Sequence, residues 1–204
     1  MNILIDTSTF GCNIALFSDN KILASIQEPI ERGHAETLVP LYLKLIQSIN
    51  KTPQDIKSIY TIVGPGSFTG LRVSLTTAQF IGFSLNKPVY GITGFQAFSA
   101  HVSGDKNRLV LIDTKRGDYY CQILDCNHKQ IAEAQCLSAG NVTKLLDDNI
   151  VITGDVDFKN CVKQPMINIK SVVEMIQSGK IELSKPEAFY IRDADVSQPK
   201  AATL

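Results

Sequence analysis

The sequence predicts an α/β protein of two related lobes, each a mixed sheet flanked by helices. Three observations carry this. Short apolar strands joined by tight turns precede a helical stripe and then a further strand, an order that mixes antiparallel with parallel pairing. Ile3-Leu4-Ile5-Asp6-Thr7 returns as Val110-Leu111-Ile112-Asp113-Thr114, an offset of 107 residues (113 − 6). Each copy is followed by a turn and another apolar strand, Asn13–Phe17 in the first and Tyr120–Leu124 in the second. The alternative is chance, since strand, Asp-Thr, turn, strand is a cheap pattern. Between the copies, Ser103-Gly104-Asp105-Lys106-Asn107 is polar and turn-rich, which sets lobes of 1–103 and 104–204.

Ile3–Asp6 reads as a short buried strand. Asn13–Phe17 and Ile22–Ile26 follow as an antiparallel meander, with the turn Ser18-Asp19-Asn20-Lys21 between them. In Ala35–Asn50, Leu38, Leu41, Tyr42, Leu45, Ile46 and Ile49 recur at three and four residues, one apolar stripe of a helix. Pro40 lies inside it, so a kink or a start near Pro40 is expected. Ser58–Val63 returns across that helix as a parallel neighbour of Ile3–Asp6. Val73–Asn86 is the second helix, Pro88–Ile92 a strand, and Phe95–His101 helical. In the second half, Asn141–Leu146 reads as helix, Ile150–Thr153 as strand and Val172–Gln177 as a helix ending at Gly179. The tail Asp193–Leu204 is polar and expected to be loose.

Composition excludes some classes. The chain has 20 basic and 20 acidic residues, so zero net charge gives no electrostatic case for avid nucleic-acid binding by this chain alone. Cys12, Cys121, Cys126, Cys136 and Cys161 are odd in number and lack C-x-x-C spacing. They read as reduced thiols of a cytosolic protein. Met1-Asn2-Ile3-Leu4-Ile5-Asp6 runs straight into a strand with no basic leader, so no signal peptide and a cytoplasmic location are expected. No apolar run is long enough to span a bilayer, so no membrane partner is expected.

The most specific stretch is Gly64-Pro65-Gly66-Ser67-Phe68-Thr69-Gly70-Leu71-Arg72, between a strand and a helix. Its glycines allow a tight turn that reaches positive φ, and Thr69 or Ser67 suits a helix cap. Free N–H groups at such a helix start commonly hold an anion. The other reading is a strand-to-helix turn that only needs glycine. It is no Walker A loop, because no Lys follows Gly70, and the spacing is not that of the dinucleotide fingerprint. The helix behind it has no Asp, Glu, Lys or Arg between Val73 and Asn86. A surface helix should show a charged outer face, so both faces are expected to be covered, the outer one by another protein. Leu75, Ala78, Gln79 and Gly82 of this helix, with Leu38, Leu41, Tyr42 and Leu45 of the first, are the candidate partner contacts. Arg72 opposes its own helix dipole, which calls for an anionic partner such as Glu36 or an acid of another chain.

Catalytic chemistry is not legible. Asp6, with Thr7 and Ser8, and Asp113 each end a strand in a turn, where paired acids hold Mg²⁺ or order a nucleotide between lobes; such Asp residues are also ordinary turn residues. His34, His101 and His128 show no metal-ligand spacing. Ser67 lacks the G-x-S-x-G frame, and Cys12 and Cys121 fall on strands. No catalytic and no metal residue is assigned.

Ile5-Asp6-Thr7-Ser8, His34-Ala35-Glu36-Thr37-Leu38-Val39-Pro40 and the nine-residue glycine stretch resemble the TsaB family, formerly YeaZ; Tyr190-Ile191-Arg192-Asp193-Ala194 resembles its C-terminal motif. The match is strong in the N-terminal half and loose beyond it. The resemblance implies a two-lobed fold of the actin, sugar-kinase and Hsp70 type (RNase H-like). It implies a non-catalytic scaffold for making N6-threonylcarbamoyladenosine at position 37 of tRNAs reading ANN codons. The implied partners are the paralogue TsaD, through helices 35–50 and 73–86, and the ATPase TsaE. A homodimer is implied when the chain is alone, and tRNA is met only through the complex. ATP and metal are expected on the partner subunits and no cofactor on this chain. TsaD carries a His-x-x-x-His metal pair where this chain has Gly94 and Phe98, neither of which ligates a metal. The competing reading is a small nucleotide-dependent kinase or hydrolase of the same fold.

Overall fold

The structure, a computed structural model, describes residues 1–19 and 21–192. Asn20 and the expected loose tail Asp193–Leu204 lie outside the described residues. The first sheet holds β1 (Asn2–Asp6), β2 (Cys12–Phe17), β3 (Ile22–Glu28), β4 (Ser58–Gly64) and β5 (Val89–Thr93) in the order β3-β2-β1-β4-β5. The expected meander is there: β1 pairs antiparallel with β2, and β2 with β3. β4 returns parallel to β1, and β5 lies parallel to β4.

The second sheet repeats this plan. It holds β6 (Asn107–Asp113), β7 (Tyr119–Leu124), β8 (Gln135–Leu137), β9 (Ile150–Gly154) and β10 (Cys161–Lys163) in the order β10-β9-β6-β7-β8. β6 pairs antiparallel with β7 and parallel with β9, as β1 does with β2 and β4. The two Asp-Thr copies therefore end equivalent central strands. Among the described residues, no helix stands between β9 and β10, where the first sheet has one between β4 and β5. Sequence patterning missed β8 and β10, each three residues long at a sheet edge, too short to show a period of two.

Helix α1 spans His34–Ser48 and runs through Pro40, which is exposed. Proline there leaves the carbonyl four residues back without an amide donor, and on the solvent side water replaces it. Helix α2 spans Phe68–Leu85 and starts earlier than periodicity suggests. The reason is the cap: the Ser67 hydroxyl accepts from Gly70 N at 3.3 Å. Helices α3 (Gly94–Ser99), α4 (Ala139–Thr143) and α5 (Ile169–Gln177) are the other α-helices among the described residues.

Three apolar clusters hold the fold. Ile3, Ile5 and Ile14 of the first sheet pack under Leu38, Tyr42, Leu45 and Ile46 of α1 and Ala78 and Ile81 of α2. The other face of that sheet gives Leu4, Phe17 and Ile62 to a core shared with Val110, Ile112 and Leu124 of the second sheet. Phe95 and Phe98 of α3 and Val172 and Val173 of α5 fill that shared core, and every residue of α3 is buried. Leu109, Leu111 and Ile152 close the far face of the second sheet with Val142 of α4. Each such aliphatic side chain contributes roughly 1.5–3 kcal/mol on leaving water. All five cysteines are free thiols.

Candidate functional site

The turn after β1 and the loop after β4 form one clasp. Thr7 Oγ1 donates to Gly70 O at 2.6 Å, and Ser67 N donates to Ser8 O at 2.7 Å. A Cβ on Gly70 would lie 1.8 Å from Thr7 O, and one on Gly66 would lie 2.6 Å from Ser8 O. These two glycines serve close approach of backbones, not a left-handed turn. Only Gly64, at φ 115, needs the left-handed region. The turn thus reaches positive φ at Gly64, as expected, while a side chain at Gly66 is strained by contact with Ser8 instead. Helix α2 also claims Phe68–Arg72, so the loop proper is Gly64-Pro65-Gly66-Ser67.

Asp6 is sealed at the base of this clasp. It has no exposed surface. Its Oδ1 accepts from Ser8 N at 2.7 Å and Ser8 Oγ at 2.5 Å. Its Oδ2 accepts from Asn13 Nδ2 at 3.0 Å and Thr9 Oγ1 at 3.3 Å. Burial pushes the carboxyl above its ordinary pKa, against the opposing pull of those hydrogen bonds. Both oxygens are spent on ordering the β1–β2 turn. Asp113, its counterpart, behaves differently. Burial raises it, but hydrogen bonds from Lys115 N at 2.7 Å and Lys115 Nζ at 2.9 Å outweigh that and leave it below the ordinary value.

Above the clasp lies a cavity of about 830 Å³ between the two sheets. Ser8, Thr9 and Phe10 line one wall, Gly66, Ser67, Phe68 and Arg72 a second, and Asp113, Thr114 and Lys115 a third. Of the candidate cleft residues, Ser8 borders the cavity, while Asp6 and Thr7 are fully buried beside it. Gly94 and Phe98 are buried in α3. Among the described residues no group of three or more His, Cys, Asp or Glu is placed to hold a metal.

The outer face of α1 and α2 is the second feature. Leu38, Tyr42, Leu45, Leu75, Ala78 and Gly82, read from the sequence as partner contacts, point into this chain's own interior. Ala78 has no exposed surface, and a Cβ on Gly82 would lie 2.3 Å from Val89 Cγ2. The small residues let α2 settle on its own sheet, which corrects their assignment as outward contacts. Leu41 is half-buried, and Gln79 and Arg72 are exposed. The large apolar side chains that are exposed are Val39 and Leu43 on α1 and Phe68, Phe80 and Phe83 on α2, the last two 70% and 87% exposed. The helix with no charge thus presents bare phenyl rings. Sequence reasoning finds that helix but not this face, because an uncharged helix has no polar stripe to orient it.

Arg72 does not pair with Glu36. Its guanidinium sits 3.9 Å from the centroid of the Phe68 ring, and that ring packs 5.6 Å from the ring of Tyr190. Tyr190 belongs to a segment that leaves α5 and returns over the first sheet. Ser184 and Gly91 exchange backbone hydrogen bonds of 2.9 Å each, and Phe189 N donates to Val63 O at 2.7 Å.

Comparison with known proteins places this geometry. A curated relative, the tRNA threonylcarbamoyladenosine biosynthesis protein TsaB of Bacillus subtilis, is 30% identical over 119 residues, covering 57% of this chain and 51% of the relative. TsaB of Escherichia coli is 29% identical over the same length, with the same coverage. The chain thus spans about half the length of the curated relatives it matches. Among solved structures, YeaZ from Pseudomonas aeruginosa superposes with a TM-score of 0.76 at 20% identity, over 94% of this chain and 100% of that one, a likeness of fold. The fold and the sequence both resemble TsaB, also called YeaZ. A family model described as TsaD, tRNA N6-adenosine threonylcarbamoyltransferase, matches residues 21–171, and this chain belongs to that family.

Proposed function

We propose that this chain is a non-catalytic subunit in the formation of N6-threonylcarbamoyladenosine in tRNA, acting by docking onto a TsaD paralogue through the outer face of α1 and α2. The observation that carries this reading is the exposure of Phe80 and Phe83 on a helix that has no charged residue from Val73 to Asn86. Val39 and Leu43 extend the apolar surface onto α1. Large apolar side chains left in water on neighbouring helices are the kind of surface that marks a protein interface. Family membership makes the TsaD paralogue the expected occupant, and related surfaces on two paralogues explain a homodimer when the chain is alone. TsaE joins the assembled complex, the location is cytoplasmic, and tRNA meets this chain only through the complex.

The absence of a catalytic role is supported by two local facts. Gly94 and Phe98 stand where the resemblance sets the TsaD histidines, and the Asp6 carboxylate is consumed by Ser8, Thr9 and Asn13. ATP and metal belong to the partner subunits in this reading. The competing reading, a nucleotide-dependent kinase or hydrolase, draws on the cavity of about 830 Å³ beside the start of α2. The two separate on one experiment. Co-purification with TsaD that is lost in Phe80→Asp/Phe83→Asp supports the subunit. Nucleotide turnover by the isolated chain, unaffected by those changes, supports the enzyme.

A further inference from the structure

The segment from Glu182 to Arg192 touches both sheets and α2, and has no secondary structure of its own beyond one isolated bridge. It is anchored on the first sheet by backbone. The Ser184–Gly91 and Phe189–Val63 bonds make that anchor, and the Gln96 side chain of α3 adds to it by donating from Nε2 to Glu182 O at 2.9 Å. The fit there is close: a Cβ on Gly91 would lie 2.5 Å from Lys185 O, and one on Gly64 would lie 2.6 Å from Phe189 O. It is anchored on α2 by the packing of Phe68 on Tyr190 and by one side-chain hydrogen bond, from Gln79 Nε2 to Pro186 O at 2.7 Å. Gln79 is exposed on the same helix as Phe80 and Phe83. Its far end is anchored on the second sheet. Arg192 Nη2 pairs with Asp118, which also accepts from Thr114 Oγ1, in the turn between β6 and β7. Phe189, Tyr190, Ile191 and Arg192 form part of the cavity wall, facing Thr114 and Lys115 of that turn.

We propose that the segment 182–192 is a latch that ties the outer face of α2 to the β6–β7 turn across the cavity, with Gln79 as its release and Arg192–Asp118 as its catch. The geometry gives each part its role. The Gln79 amide is within reach of anything that settles on the outer face of α2, and it is the strap's one side-chain tether to that helix by hydrogen bond among the described residues. The middle of the strap is stiff, because Phe189 and Ile191 pack against the shared core. A shift at Pro186 that draws Phe189 N off Val63 O is then carried along the chain to Arg192. The catch is a side-chain ion pair on the surface of the second sheet, with fractional exposures of 36% for Arg192 and 22% for Asp118. Such a pair is weak enough to open and is screened by salt. Opening it frees the turn that forms the third wall of the cavity.

The latch exists within one chain, so its test needs no partner, and its failure leaves the docking reading standing. Amide hydrogen exchange is followed on the full chain and on Gln79→Leu, Arg192→Ala and Asp118→Asn, with circular dichroism confirming the fold of each. The expected result is a rise of about tenfold in exchange for residues 187–191 and for residues 115–118 together in every variant, with β1 unchanged. The charge swap Arg192→Asp with Asp118→Arg restores protection at both segments. Should Gln79→Leu loosen 187–191 while 115–118 keeps its wild-type protection, the two ends are independent and the latch is wrong. A charge swap that gives no recovery at either end overturns it equally.

Discussion

Thr7 and Gly70 hold one another in place: the Thr7 hydroxyl donates to the Gly70 carbonyl at 2.6 Å, and the Thr7 carbonyl stands where a Gly70 side chain would be. This contact joins the first strand to the start of α2, and so orients the helix that bears Phe80 and Phe83. Gly70→Ala forces the two backbones apart. A loss of about 3 kcal/mol in urea unfolding is expected, at the upper end for overpacking. Thr7→Val, which keeps the shape and removes only the donor, costs about 1 kcal/mol.

Asp6 makes stability depend on pH in a definite direction. Its pKa is raised in the folded protein by burial. The unfolded chain therefore ionises first, and the contribution of this carboxyl is full below its ordinary pKa and is lost as pH rises through the folded value. Asp6→Asn removes that titration. Thermal melts between about pH 4 and pH 8 should show a shallower fall in Tm with pH for the variant than for the parent. Identical slopes would mean that Asp6 does not titrate abnormally.

Asp118 has the opposite sign. Hydrogen bonds from Thr114 and Arg192 hold its pKa at about 2, below the ordinary value of 3.8. Its contribution is present above 3.8 and lost as pH falls toward about 2. Asp118→Asn should equal the parent at the acid end and fall below it in Tm at neutral pH. A constant offset at all pH values would contradict this.

The faces of α2 should respond oppositely to charge. Ala78→Arg places a cation in the cluster of Ile3, Ile14, Leu38 and Ile46, where nothing pairs with it. A loss of more than about 4 kcal/mol, enough to unfold the chain, is expected. Phe83→Asp changes a ring that is 87% exposed and should leave unfolding within about 0.5 kcal/mol of the parent. In sedimentation runs the same change should convert a dimer into a monomer.

Much of the fold is legible because it rests on patterns that sequence carries. The Asp-Thr repeat announces two sheets of one topology, and the stripe from Leu38 to Ile49 announces α1. The proposed docking face is half legible. The lack of charge in Val73–Asn86 marks the helix, but no polar side fixes its rotation, so Ala78 and Gly82 look as fit to face outward as Phe80 and Phe83. The path of the strap is not legible for a different reason, although Tyr190-Ile191-Arg192 at its end stands out as a motif. It is held by backbone bonds to Gly91 and Val63 and by single side chains from Gln79 and Asp118, none of which leaves a periodic trace. The glycines of the loop suggest a freedom of φ that only Gly64 uses, because close approach to Thr7 and Ser8 is a tertiary fact.

The proposed support of tRNA modification rests on docking of the α1–α2 face onto a TsaD paralogue. The direct measurement is the N6-threonylcarbamoyladenosine content of tRNA after reaction with TsaD and TsaE from the same organism and a supply of the threonylcarbamoyl donor. Three arms are compared: with this chain, without it, and with Phe80→Asp/Phe83→Asp. Modification is expected in the first arm only, with the variant folded but unable to co-elute with TsaD. Full modification without the chain, or with the folded double variant, would contradict it.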